Sequence, residues 1–207
     1  MNNYNQNQHS RIWVKMKGFG DHYKSNPQKT NRKSELKIKI INNALNLHSQ
    51  GRILEAAECY KEFINKGFYD HRVFSNYGLI LKDFGKLKEA EILQRKSIEI
   101  EPNYSIAYTN LGGILKDLGN LEEAEISTRK AIELRPYDAQ AYSNLGTILK
   151  DLRKSKEAEI SFKKAISLRP DFADAYYNMG TVLRDLGKLK EAAVSYTHLT
   201  LPTNREV

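Results

Sequence analysis

Three landmark residue types recur along this chain at intervals of 34 residues. The recurring positions are Pro102, Pro136 and Pro170, then Gly78, Gly112, Gly146 and Gly180, then Ala90, Ala124, Ala158 and Ala192. A fixed period of this length is typical of stacked supersecondary units, each of which buries its apolar face only against its neighbours. The sequence therefore predicts a repeat protein, and its length does not fix a number of globular domains.

Each unit contains two segments with helical periodicity. The first, residues 139–152 in one unit, predicts a helix A, and the second, residues 155–168, predicts a helix B. The stripe residues are Tyr142, Leu145, Gly146 and Leu149 in helix A, and Ala158, Phe162, Ala165 and Ile166 in helix B. Gly85, Gly119 and Gly187 stand where helix A ends and a left-handed residue is needed. Arg153 takes this place in one unit, at a cost of about 1 kcal/mol, so we expect a reshaped or weakened turn there.

The segments AYTNLGGILKDLGNLEEAEISTRKAIELRP and AYSNLGTILKDLRKSKEAEISFKKAISLRP resemble tetratricopeptide repeats. The resemblance covers roughly residues 37–196 and implies an all-α fold, a right-handed α-solenoid of antiparallel helix pairs. Full repeats are expected at 71–104, 105–138 and 139–172. A divergent N-terminal repeat or cap is expected at 34–70, with Ser34 as the N-cap of its first helix. A truncated repeat is expected at 173–196.

The two ends of the chain depart from the repeats. Residues 1–33 carry seven Lys and Arg against one Asp and predict a basic, disordered arm. A solubilising tail is the favoured interpretation of the arm, with contact to nucleic acid or an acidic membrane as the alternative. Residues 197–207 end the helix pattern, and VSYTHLTLPT resembles a translated sequencing adapter, so we interpret them as a non-native tail; a divergent native cap is the alternative. We expect fraying or self-association at the truncated end, where helix A carries Tyr176, Met179, Leu183 and Leu186.

Several function classes find no support in the sequence. Cys59 is the only cysteine, and the five histidines show no i, i+4 pairing, so neither a metal nor a cofactor is expected. No apolar run is long enough to span a membrane and no signal-peptide pattern is found, so a cytoplasmic location is expected. No nucleophile, base and orienting residue can be assembled, and the chain is not predicted to be an enzyme.

One asparagine position recurs in helix A, and an aspartate follows it seven residues later. The asparagines are Asn42, Asn76, Asn110, Asn144 and Asn178, and the aspartates are Asp83, Asp117, Asp151 and Asp185. Both rows point away from the apolar stripe on a helical wheel. We interpret the asparagines as contact residues, with duplication of a merely solvated residue as the alternative. For the aspartates, two interpretations remain equally open: ligand contact, or a structural role in which they bond to the turn or pair with Lys116, Lys150 or a neighbouring repeat.

The resemblance implies that helix A lines a concave ligand groove and that both polar rows face it. A carboxamide has donors and an acceptor, so it can pair with any peptide backbone. The row resembles the peptide-gripping groove in the repeat arm of O-linked N-acetylglucosamine transferases. The lysines beside it, such as Lys82, lie off the asparagine line and only Arg72 points inward, so the expected partner is a protein or extended peptide, neutral to basic in charge.

Three functions are compatible with these residues. The first is a non-catalytic protein-interaction scaffold that binds an extended peptide or a partner in its groove. The second is the substrate-recruiting N-terminal arm of a larger glycosyltransferase or sulfotransferase. The third is an adaptor that the basic arm of residues 1–33 attaches to an anionic surface. We expect no specific nucleic-acid partner.

Overall fold

The computed structural model describes residues 27–197 of the chain. Every regular element in that range is an α-helix. The helices are α1 Pro27–Ser49, α2 Ile53–Asn65, α3 His71–Asp83, α4 Leu87–Ile100, α5 Ser105–Asp117, α6 Leu121–Leu134, α7 Ala139–Asp151, α8 Ser155–Leu168, α9 Ala173–Asp185 and α10 Leu189–Thr197. The odd-numbered helices are the predicted helices A, the even-numbered ones are the predicted helices B, and the all-α prediction is confirmed.

The chain divides into two compact units, residues 1–38 and 39–207. In the first unit, the described residues form the start of α1, which begins at Pro27. Proline suits a first helical position because its φ is already helical and its missing N–H would have no partner there. Ser34 therefore lies inside the helix, and the prediction that it caps the N-terminus was wrong. The remainder of the predicted arm, residues 1–26, lies outside the described residues.

Residues 39–197 form a stack of helix pairs. Each of α3, α5, α7 and α9 packs against the helix B that follows it, and each of α2, α4, α6 and α8 packs against the next helix A. Helices A of successive repeats also lie against one another, as α5 lies between α3 and α7, whereas helices B of successive repeats touch far less. The layer of helices A is therefore the more closely spaced, inner side of the stack. This is the α-solenoid arrangement that the period predicts.

The recurring glycine of helix A sits where helix B comes closest. A β-carbon placed on Gly146 would lie 2.7 Å from the ring of Phe162, and one placed on Gly112 would lie 2.1 Å from the hydroxyl of Thr128. Contacts this short do not occur between real atoms. Any side chain at the glycine would therefore push the two helices of a repeat apart.

The turns between the helices of a repeat keep one backbone conformation. Gly85, Gly119 and Gly187 have φ angles of 74°, 82° and 75°, and Arg153 has a φ of 61°, the one positive value at a non-glycine among the described residues. The Arg153 N–H donates to Lys150 O at 2.9 Å, and the Gly119 N–H makes the matching bond to Lys116 O, also at 2.9 Å. The turn is thus not reshaped, and Arg153 carries the cost of a left-handed residue.

Two ion clusters, each centred on a glutamate, join helices of successive repeats. The carboxylate of Glu125 lies 2.8 Å from Arg129 in its own helix and 2.8 Å from Lys154 at the start of the next helix B. Glu159 repeats the arrangement with Lys163 at 2.6 Å and Lys188 at 2.8 Å. Both glutamates are nearly covered, with side chains 14% and 9% exposed. Screening by solvent is therefore weaker than for the exposed ion pairs of this surface, such as Lys96–Glu99.

The last helix pair is closed more fully than the sequence suggests. Helix α10 has nine residues, against 14 in α8. Even so, Met179 and Leu183 are 5% and 1% exposed, because the ring of Tyr196 lies over Gly180. The two turns of helix B that are present cover the core of α9. Self-association through this end remains a prediction, and residues 198–207 lie outside the described part.

Replacing Arg153 with glycine should stabilise the protein by about 1 kcal/mol, since glycine adopts a positive φ without steric cost. The measurement is the midpoint of urea unfolding followed by circular dichroism. The matched control is Gly119→Ala, which should lower the midpoint by a similar amount. An unchanged midpoint for Arg153→Gly would show that the turn holds no strain.

Acid should weaken the contacts between repeats. Hydrogen bonds from Lys154 and Arg129 lower the pKa of the Glu125 carboxyl, and those from Lys163 and Lys188 lower the pKa of Glu159. A carboxyl with a lowered pKa in the folded state stabilises the protein above its unfolded pKa of about 4.3, and this stabilisation is lost as the pH falls through the folded value. The thermal midpoint should therefore fall more steeply below about pH 4.3 in the wild type than in Glu125→Gln/Glu159→Gln.

The control for this pH effect is Glu99→Gln/Glu133→Gln. Both of those glutamates pair only within their own helix and are about two-thirds exposed, at 68% and 67%. This double variant should keep the wild-type dependence on pH. Equal pH dependence in all three proteins would contradict a role for Glu125 and Glu159 in joining the repeats.

Candidate functional site

The asparagine row lies on the inner layer of helices, where successive helices A meet. Asn76, Asn110, Asn144 and Asn178 are half-buried, whereas Asn42 in α1 is exposed. A half-buried amide has some hydrogen-bonding groups turned to the protein and others turned to solvent. We call the surface formed by these four half-buried asparagines and the side chains around them the asparagine groove.

The first two asparagines of the groove bind the preceding repeat through their Nδ2 atoms. Asn76 donates to the hydroxyl of Tyr60 at 3.3 Å, and Asn110 donates to the hydroxyl of Ser75 at 3.2 Å. Each therefore leaves Oδ1 as an acceptor. The Tyr60 hydroxyl also lies 3.2 Å from Nδ1 of His48, which lets it donate to histidine while it accepts from Asn76. Burial raises the pKa of Tyr60, so the hydroxyl keeps its proton.

The next two asparagines are oriented differently. Gln140 donates to Oδ1 of Asn144 at 3.0 Å, which leaves the Asn144 Nδ2 as a donor. Within the described range, the Asn178 side chain takes part in no hydrogen bond. The groove thus offers acceptors at Asn76 and Asn110, a donor at Asn144, and a whole amide at Asn178. Each of the four repeats therefore has at least one amide group free to pair with an N–H or C=O group of an extended chain.

The aspartate row is less uniform than its spacing suggests. Asp117 pairs with Lys82 of the preceding repeat at 3.4 Å and with Lys116 beside it at 3.1 Å. Asp185 lies 3.9 Å from Arg184, while Asp83 and Asp151 are exposed and make no ion pair with the described residues. Pairing with a neighbouring repeat, one of the two interpretations left open, holds for Asp117.

Two cations near the groove are already engaged. Arg72 binds the carboxylate of Asp70 through two hydrogen bonds, Nε to Oδ1 at 3.0 Å and Nη2 to Oδ2 at 2.9 Å. The wheel position of Lys82 predicts a side chain that lies off the asparagine line. In the structure its side chain extends towards Gly113, where a β-carbon would lie only 3.9 Å from its Nζ. Lys82 therefore contributes to the asparagine groove, which sequence reasoning did not anticipate.

Sequence reasoning also missed the buried polar residues beside the asparagines, of which Ser75 accepts a hydrogen bond from Asn110. Ser75, Thr109 and Ser143 precede three of the asparagines at the same 34-residue spacing and are all buried. Their recurrence at this spacing indicates a polar layer between repeats. Tyr60 gave no such signal because it belongs to the divergent first repeat, and its role depends on a contact across repeats that periodicity does not show.

Two further site classes find no support in the described residues. No group of three or more histidine, cysteine, aspartate or glutamate side chains is gathered as metal ligands between residues 32 and 197. None of the helices in that range has the length and apolarity needed to cross a membrane.

Family models agree with the helix pairs. One tetratricopeptide repeat model matches residues 71–104 and 139–172. A second matches residues 93–126 and 161–193. Together they span more than half of the 207 residues. The chain belongs to the tetratricopeptide repeat family, whose members bind other proteins through their repeats. No curated protein sequence gives a significant match.

Solved structures share this fold. The MamA fragment 41-end from Desulfovibrio magneticus RS-1 superposes with a TM-score of 0.69 at 21% identity, covering 79% of this chain and 93% of its own. Pseudomonas aeruginosa pilF superposes with a TM-score of 0.70 at 18% identity, covering 81% of this chain and 76% of its own. At these identities the likeness establishes the fold alone.

Replacing Tyr60 with phenylalanine should weaken the junction between the first two repeats. The change removes the acceptor of Asn76 and the partner of His48, at a cost of about 1 kcal/mol. Hydrogen exchange of the α2 and α3 amides should rise, while that of α7 and α8 stays unchanged. Unchanged protection of α2 and α3 would show that water replaces the hydroxyl without loss.

Proposed function

We propose that this protein is a non-catalytic interaction scaffold that holds an extended segment of a partner protein along the asparagine groove. The observation that carries the proposal is the row of half-buried amides on the inner helix layer, each with hydrogen-bonding capacity left over after its bonds within the protein. Groups used only for packing would be saturated inside the fold. These amides have atoms available to a ligand.

The spacing of the amides favours an extended ligand. Packed helices lie about 8 to 10 Å apart, and an extended chain rises about 3.3 Å per residue. One amide would therefore meet the ligand about every third residue. Recognition of this kind reads the peptide backbone, while the variable positions around each asparagine select among side chains.

The charge around the groove supports a ligand that is neutral to basic over most of its length. Asp83 and Asp151 are exposed without ion pairs in the described chain, and the inward cation Arg72 is held by Asp70. Uncompensated carboxylates repel an acidic segment and attract a basic one.

The test uses peptides selected on the full chain from a random dodecapeptide display library. The variant is Asn144→Ala/Asn178→Ala, because these two side chains make no hydrogen bond to another repeat. We expect the affinity of selected peptides, measured by fluorescence anisotropy, to fall at least about tenfold, as expected for two lost hydrogen bonds, with the thermal midpoint unchanged.

The matched control is Asn103→Ala, an exposed asparagine in a turn whose side chain makes no hydrogen bond in the described structure. It should bind like the wild type. Methylating backbone nitrogens of a selected peptide should weaken binding more than alanine substitution of most of its side chains. Full affinity of the double variant, with every selected peptide, would contradict binding in the asparagine groove.

A further inference from the structure

The asparagine groove has a gap at one of its four repeats. The groove-facing position that lies three residues after each asparagine is Leu79, Gly113, Thr147 or Thr181. Thr147 and Thr181 turn their hydroxyls back to their own helix, bonding Ser143 O at 3.1 Å and Tyr177 O at 3.2 Å. Gly113 has no side chain, which leaves a gap in the groove surface with about the volume of one side chain.

The gap at Gly113 is bordered by hydrogen-bond donors from both neighbouring repeats. A β-carbon at this position would lie 3.9 Å from Nζ of Lys82 and 4.0 Å from Nδ2 of Asn144. The Asn144 amide is set in this orientation because Gln140 donates to its Oδ1 at 3.0 Å. Donors from α3 and α7 thus face the same point above α5.

The gap also has an excess of positive charge. Lys82 and Lys116 share the single carboxylate of Asp117, at 3.4 Å and 3.1 Å. One ammonium charge is therefore uncompensated within this cluster. The other aspartates of the row have no such pair of cations.

We infer that the gap at Gly113 is a specificity pocket for one carboxylate side chain, an aspartate or glutamate of the bound peptide. The two donors lie at most about 8 Å apart, since both are within 4.0 Å of one point. Two charge-assisted hydrogen bonds of about 2.8 Å, together with the width of a carboxylate, reach any separation up to that limit, and the uncompensated ammonium favours an anion over a neutral carbonyl. This inference rests on the proposed function, because the ligand must lie in the asparagine groove.

The pocket refines the proposed ligand. Most of the segment is neutral to basic, but one acidic residue is required in register with the third helix pair, α5 and α6. The rest of the groove contacts the peptide backbone, which is the same at every residue. One required acidic residue in the peptide therefore sets the position along the groove at which the peptide binds.

The test applies the selected dodecapeptides to the full chain and exchanges each acidic residue for its amide. We expect one position at which Glu→Gln weakens binding to the wild type about tenfold or more, as for a lost hydrogen bond to a charged group. The same exchange should have little effect on Gly113→Thr, where the side chain found at Thr147 fills the gap, or on Lys82→Gln. The preference for Glu should decline with added salt.

The matched control is Thr147→Gly, which opens a gap one repeat further along, where the preceding repeat supplies Lys116, paired with Asp117 at 3.1 Å. It should leave the position and size of the acidic preference unchanged. Amidation of the peptide C-terminus should have no effect, and loss of binding on amidation would overturn the assignment to a side chain.

The two proposals fail in different ways. Peptides that need Asn144 and Asn178 but show no acidic preference, or the same preference in Gly113→Thr, would overturn the pocket and leave the groove intact. Peptides that bind without either asparagine would overturn both.

Discussion

The close approach of helix A to helix B at a glycine is the contact on which this architecture depends. In the four pairs from α3–α4 to α9–α10 a residue 16 positions later faces the glycine: Gln94 faces Gly78, Thr128 faces Gly112, Phe162 faces Gly146 and Tyr196 faces Gly180. A β-carbon on any of these glycines would come within 2.1 to 2.8 Å of the facing side chain. The facing residues differ widely in size and polarity, so the absence of a side chain on helix A, and not the identity of its partner, sets the helix separation.

Gln94 shows how tolerant this contact is. It is fully buried and its Nε2 donates to Ser75 O at 2.8 Å, but its Oε1 has no hydrogen-bond partner among the described residues. A buried acceptor without a partner is destabilising, whereas Phe162 fills the equivalent place with an apolar ring. The pair nevertheless keeps its geometry, and Ser75 stays in position to accept the hydrogen bond from Asn110. The regular spacing of the helices on the inner surface therefore depends on the glycine contacts beneath it.

Periodicity predicted the regular parts of this fold well, because a 34-residue repeat fixes which residues are buried. Helix α8 spans the predicted residues 155–168, and the left-handed turn survives even at Arg153. Direction on a helical wheel placed the asparagines away from the apolar stripe, and the family resemblance implied that they face the groove. The wheel could not give the reach of a flexible side chain, so Lys82 was assigned outside the groove although it extends to Gly113. Nor could it give the orientation of each amide, which depends on partners such as Tyr60 and Gln140 that do not recur.

The differences between repeats are what could make an asparagine groove selective. Four identical amides in identical surroundings would accept a backbone in several registers, each displaced by one repeat. Here Asn110 uses one N–H on Ser75 whereas Asn144 accepts from Gln140 at Oδ1, so these two adjacent repeats differ in the hydrogen-bonding groups that they leave free. A peptide shifted by one repeat would meet a different set of free groups, and the loss of even one buried hydrogen bond costs about 1 kcal/mol or more. Duplication can supply the row, but only its local irregularities can fix the register of a ligand.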